Sequence, residues 1–75
     1  MQHYQNLGGG SGVSAYEITS DSITVQFKDG AVYLYNYATP GRADVEIMKQ
    51  LAASGRGLNT YISKTVRKRY AAKLR

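Results

Sequence analysis

The sequence predicts an α+β domain: a three-stranded antiparallel β-meander followed by two helices, βββαα, with both helices packed on one sheet face. Two stretches carry that expectation. From Ile23 to Tyr37, apolar and aromatic residues alternate as Ile23, Val25, Phe27 and then Tyr33, Tyr35, Tyr37 around Asp29-Gly30. Alternation on both sides of an Asp-Gly pair is a strong local hairpin signal. Beyond Thr39 the apolar spacing changes from two to three and four, first in Val45, Met48, Leu51 and Ala52, then in Leu58, Ile62, Val66 and Tyr70. That is the period of helices buried along one stripe. Length supplies the third bound: 75 residues make one domain, near the lower limit for a core without covalent staples.

The elements follow in order. Residues 1–12 hold one Tyr, one Leu and four glycines, and GGGSG is flexible-linker chemistry. They are predicted to form a flexible arm, leaving 13–75 as a single domain. Gly10, Gly12 and Ala15 match the spacing of a dinucleotide fingerprint, but no strand–turn–helix unit fits around them, and no Lys-Ser or Lys-Thr follows. Val13–Thr19 is the first strand. Ser20-Asp21-Ser22 supplies turn residues whose short side chains bond the local backbone. Ile23–Phe27 is the second strand and Ala31–Tyr37 the third.

Hairpin register decides what the tyrosines do. A two-residue Asp29-Gly30 turn places Tyr33, Tyr35 and Tyr37 opposite Val25 and Phe27 in facing. A three-residue Lys28-Asp29-Gly30 loop with a left-handed Gly30 pairs Phe27 with Ala31, and the tyrosines then share the Ile23–Val25–Phe27 face. The three-residue loop is favoured because it offers the helices the larger aromatic surface. Val32 and Leu34 then face outward.

Thr39-Pro40 can open the first helix, Thr as cap and Pro as first residue. Val45, Met48, Leu51 and Ala52 form its buried stripe, with Ile47 at the flank. Gly55 stops it, and Asn59 can cap a second helix after Arg56-Gly57. On that helix Lys64, Arg67, Lys68 and Arg75 cluster away from the apolar stripe. Arg69 and Lys73 interrupt the stripe, so the helix either frays near Tyr70 or turns these long side chains outward.

Charge is the clearest functional clue. Net charge is +5, yet residues 1–53 carry five acids and three bases, and residues 54–75 carry seven bases and no acid. Such asymmetry suggests a polyanionic partner. There are no cysteines, which rules out disulfides and thiolate metal sites and fits a reducing, cytoplasmic setting. No window is apolar enough to span a membrane, and the N-terminus lacks the pattern of a signal peptide.

Residues 12–70 resemble the KTSC domain, a small domain named for a C-terminal extension of some lysyl-tRNA synthetases and also found alone in bacterial and phage proteins. Tyr16, Val25-Gln-Phe27-Lys-Asp-Gly30, Tyr33-Leu-Tyr35, Pro40, Ala52-Ala-Ser54-Gly55, Asn59 and Ile62 carry the likeness. The Tyr33–Pro40 segment is one residue longer than the family's usual spacing, so Tyr35-Asn-Tyr37 is the other candidate for its Tyr-x-Tyr. The Ser54–Asn59 loop is one residue shorter, and Val66 stands where the family usually has another Tyr. The resemblance implies the three-residue loop, because the family's Phe and tyrosines keep one parity. It also implies RNA binding, through the synthetase fusion.

The expected function is therefore a small non-catalytic module that binds RNA through Arg56, Lys64, Arg67, Lys68 and Arg75, helped by Arg69 and Lys73, with Tyr37, Tyr61 and Tyr4 as candidates for base stacking. Tyr33 and Tyr35 are read as core rings. The one histidine, His3, has no orienting partner for acid–base work, and zinc would need more ligands than the chain offers. No cofactor is expected. The alternative is a protein-interaction or weakly homodimerising module that uses the outward Val32 and Leu34.

Overall fold

The computed structural model of the chain describes residues 1–7, 12–66 and 68–75. It is an α+β domain with an antiparallel sheet and two helices, but among the described residues the sheet has five strands rather than three. Strands β1 (Gln2–His3), β2 (Val13–Ile18), β3 (Ser22–Phe27), β4 (Val32–Asn36) and β5 (Ala72–Lys73) lie side by side in chain order.

The hairpin takes the three-residue loop. Val25 pairs with Tyr33 and Ile23 with Tyr35, and the Phe27 N–H donates to the Ala31 carbonyl at 2.8 Å. Gly30 has φ 95°, a left-handed conformation that a Cβ would strain. Asp29 Oδ1 accepts from the Ala31 N–H at 2.9 Å and closes the loop. Ile23, Val25 and Tyr35 accordingly join Tyr16 and Val13 on one buried face, and Phe27 and Tyr33 pack at its margin.

Helix α1 (Arg42–Ser54) and helix α2 (Leu58–Tyr61) cover that face. Val45, Met48 and Ala52 of the first and Leu58 of the second enter the same core as Ile62 and Val66. Each is one face of a helical repeat, as the spacing requires. Gly55 ends α1 with φ 78°, its N–H bonded to the Leu51 and Ala52 carbonyls, so the expected left-handed stop is present. The start of α1 differs from expectation. Pro40 follows a cis peptide and lies outside the helix, which begins after Gly41. Asn36 Oδ1 instead accepts from the N–H groups of Ala38 and Thr39, at 3.0 and 2.9 Å, holding the turn that an Asx side chain favours.

Asn59 does not cap α2. The helix starts at Leu58 after Gly57, and the Leu58 N–H donates to the Tyr4 hydroxyl at 3.3 Å. That contact corrects the expected arm. Gln2 and His3 pair with Tyr16 and Ala15, Tyr4 is 2% exposed within the core, and the Leu7 N–H donates to the Gly55 carbonyl at 2.6 Å. Residues 1–7 thus pack against the domain, with Gln2–His3 as an edge strand of the sheet. The remaining linker residues 8–11 lie outside the described residues.

The basic helix is also shorter than expected. A π-helical turn, Ile62–Val66, follows α2, and the chain then leaves the helical path. It returns as β5 alongside β4, with the Ala71 N–H on the Leu34 carbonyl and the Leu74 N–H on the Val32 carbonyl, both at 2.7 Å. A continued helix would set Lys64 against Lys68 and Arg69 against Lys73 at i,i+4, where like charges repel. It would also leave the polar edge of β4 unpaired. Val32, expected on the outward face, is 5% exposed, and Leu34 is half-buried.

Candidate nucleic-acid interface

The hairpin tip, α2 with the π-helical turn, and Lys68 and Tyr70 ahead of the return strand line a cleft of about 660 Å³. Register explains its walls. Phe27 and Tyr33 flank the loop on the helix-facing side, and their rings meet edge to face, with centroids 5.7 Å apart. Tyr70 follows the end of the helical segment and lies against Tyr33, its ring centroid at 4.7 Å and tilted by 48°. Tyr35 lines the cleft from the core side. Ile62 and Ser63, from the wide π-helical turn, and Asn59 from α2 form the opposite wall. Gly12 borders the same mouth, where a Cβ would sit 3.4 Å from Asn59 Oδ1.

Cations surround this opening. Lys28 and Lys68 line it, and Lys73 Nζ stands 5.7 Å from the Tyr33 ring centroid. Arg75 is tied to Val32 at the tip end through backbone bonds of 3.2 and 3.3 Å. Lys64 is exposed on the adjoining turn. Among the described residues the ion pairs are Lys49–Glu46 at 2.8 Å and Arg69–Asp44 at 3.4 Å. None of the cations at the cleft takes part in them. The one acid lining the cleft is Asp29, and its carboxylate caps the loop.

The residues singled out from the sequence are therefore divided. Lys68 lines the cleft, with Lys64 and Arg75 on the elements that frame it. Arg56 is exposed on the link between α1 and α2, apart from the cleft lining. Arg67 lies outside the described residues. Tyr37 and Tyr61 do not line the cleft. The Tyr37 hydroxyl lies 2.7 Å from Glu46 Oε2 and 2.9 Å from the Ser20 carbonyl, with Arg42 and Lys49 over its ring at 5.6 and 5.5 Å from the centroid. The hydrogen bond to Glu46 holds its phenol above the ordinary tyrosine range. The Glu46 carboxyl is held below the usual range, chiefly by Lys49 and then by Tyr37. Tyr61 donates to Asp44 Oδ1. Burial, followed by that hydrogen bond, pushes its phenol up to about 12. Both rings join α1 to its neighbours.

Sequence reasoning missed Lys28, Asn59, Ser63 and Tyr70 as site residues. Lys28 was legible: the favoured register already put it in the loop beside Phe27. Tyr70 was not, since the helical period assigned it to a core stripe.

No family model matches the chain, and neither a curated protein nor a solved structure matches it. Among the described residues no group of three or more His, Cys, Asp or Glu could hold a metal ion, and no helix is long and apolar enough to cross a membrane.

Proposed function

We propose that this chain is a non-catalytic module that binds single-stranded nucleic acid, RNA foremost, in the cytoplasm. The observation that carries the reading is an aromatic-lined cleft with Lys28 and Lys68 in its lining and Lys73 over the Tyr33 ring, Lys64 and Arg75 lying on neighbouring elements, and none of these cations in an ion pair among the described residues. A basic track beside ring faces is the footprint of single-strand binders: cations neutralise phosphates and release counterions, while rings hold bases. Stacking in this reading belongs to Tyr33 and Tyr70, which are half-buried at the opening, rather than to Tyr37 and Tyr61. The KTSC resemblance belongs to the same proposal and points the same way. His3 stands exposed on β1, at the sheet edge opposite β5, and takes no part.

Fluorescence anisotropy of labelled single-stranded RNA, titrated with wild type and with Lys64→Glu/Lys68→Glu/Lys73→Glu, tests the proposal. Wild type should bind near physiological salt with a log–log salt slope of roughly −2 to −4, for about three to five phosphates. The triple variant should lose binding and keep its fold.

The second reading is a protein-interaction or weakly homodimerising face. It rests on the side of the sheet away from the helices, where Leu34 pairs with Ala72 and Leu74 is 56% exposed. Under it the triple variant behaves as wild type, and Leu74→Glu abolishes self-association in sedimentation.

A further inference from the structure

We infer that the cleft is a pocket for one unpaired nucleotide, whose base is held by the Tyr35 hydroxyl and the Asn59 amide while its phosphate lies on Lys28 and Lys68. This deepens the nucleic-acid reading and rests on it. The phosphate track alone explains affinity for any polyanion; the cleft adds a reason to select single strands.

Three observations support the pocket. First, its volume of about 660 Å³ falls within the roughly 300–1,000 Å³ of small-molecule sites. Second, its polar groups are unspent. Tyr35 is 1% exposed, yet its hydroxyl has no hydrogen-bond partner among the described residues. No fully buried side-chain polar atom there lacks a partner, so that hydroxyl must reach the cleft that Tyr35 lines. The Asn59 amide and the Ser63 hydroxyl also line it, and neither is hydrogen-bonded among the described residues. A hydroxyl that opens on the cleft and is bonded to no described protein group is available to a ligand. An amide offers a donor beside an acceptor, which is the pattern of a base edge. Third, the charge is complementary. Lys28 and Lys68 stand at the same opening, and Asp29, the acid beside them, is committed to the Ala31 N–H. A base within a duplex has its pairing edge occupied and its faces stacked, so it cannot enter.

Anisotropy with two labelled single-stranded oligonucleotides of equal length tests this, one intact and one abasic throughout, so that both carry the same phosphates. Intact strand should bind about five- to 150-fold more tightly than abasic strand. Tyr35→Phe keeps the ring in the core; it should weaken intact strand about fivefold and leave abasic strand unchanged. Asn59→Ala should do likewise, whereas Lys68→Glu should weaken both strands alike. Equal binding of the two strands overturns the pocket and leaves the phosphate reading standing. Absence of binding to either strand overturns both. Should Tyr35→Phe weaken the two strands equally, with an unchanged thermal midpoint, the assignment of a base to the Tyr35 hydroxyl fails.

Discussion

Tyr4 shows how much one side chain contributes. Its ring meets Tyr16 edge to face at 6.4 Å, and its hydroxyl satisfies the first N–H of α2. Tyr4→Phe leaves that buried N–H bare, at a cost of about 1–3 kcal/mol. For a domain of this size the thermal midpoint should drop by roughly 4–8 °C per kcal/mol. Gly55→Ala should also destabilise, because φ 78° disfavours a side chain and the new Cβ would meet Gln5 Cβ at 2.8 Å. The backbone term alone is roughly 1–2 kcal/mol, and hydrogen exchange should quicken at Leu7, whose N–H bonds the Gly55 carbonyl. Ionisation follows the same local logic. Burial, then the neighbouring Tyr33 and Tyr70, raise the Tyr35 phenol to about 12. A phenol raised above its unfolded value contributes stability that is complete below about 10 and is lost as pH climbs through 10 towards 12. Alkaline unfolding should start in that window. Glu46→Gln should bring the Tyr37 titration down towards the ordinary range in an ultraviolet titration, because the carboxylate is its principal cause.

The central hairpin and α1's stripe were legible in the sequence because their evidence is local. Period-two alternation, an Asp-Gly and one surplus loop residue determine which face Tyr35 occupies, and Val45, Met48 and Ala52 lie on one helical face over about two turns. The edge strands were illegible for the opposite reason. Each of β1 and β5 is two residues long, too short to show alternation, and each exists because a neighbouring strand offers unpaired backbone. Deleting residues 71–75 tests that statement. Four backbone bonds to Val32 and Leu34, of 2.7 to 3.3 Å, would go, costing about 4 kcal/mol at roughly 1 kcal/mol each, with some exposure of Val32 besides. The bared edge of β4 should promote self-association, visible in sedimentation. Lys73 and Arg75 would leave as well, so the salt slope of any RNA binding should become shallower by up to about 2.

At the scale of the molecule, the fold turns a charge asymmetry along the chain into one in space. Of the seven basic residues after Ser54, Lys68 lines the cleft with Lys28, Lys73 stands over the Tyr33 ring, Arg75 is bonded through its backbone to Val32, and Lys64 is exposed on the π-helical turn. Arg69 is spent on Asp44, and Glu46 is occupied by Lys49 and Tyr37. The sequence made the cations visible but not their companions. Phe27, Tyr33 and Tyr70 come together only when a strand pair, a π-helical turn and a returning strand have all formed, and none of these distances is written in a local pattern. The most direct test of the account is nitrogen–proton chemical-shift mapping of the labelled protein with a short single-stranded RNA at physiological salt. The account predicts saturable shifts at Lys28, Tyr33, Asn59, Ser63, Lys68 and Tyr70, with Glu17, Thr24 and Arg56 still. Shifts confined to Leu34, Ala72 and Leu74, or none at all, would contradict it.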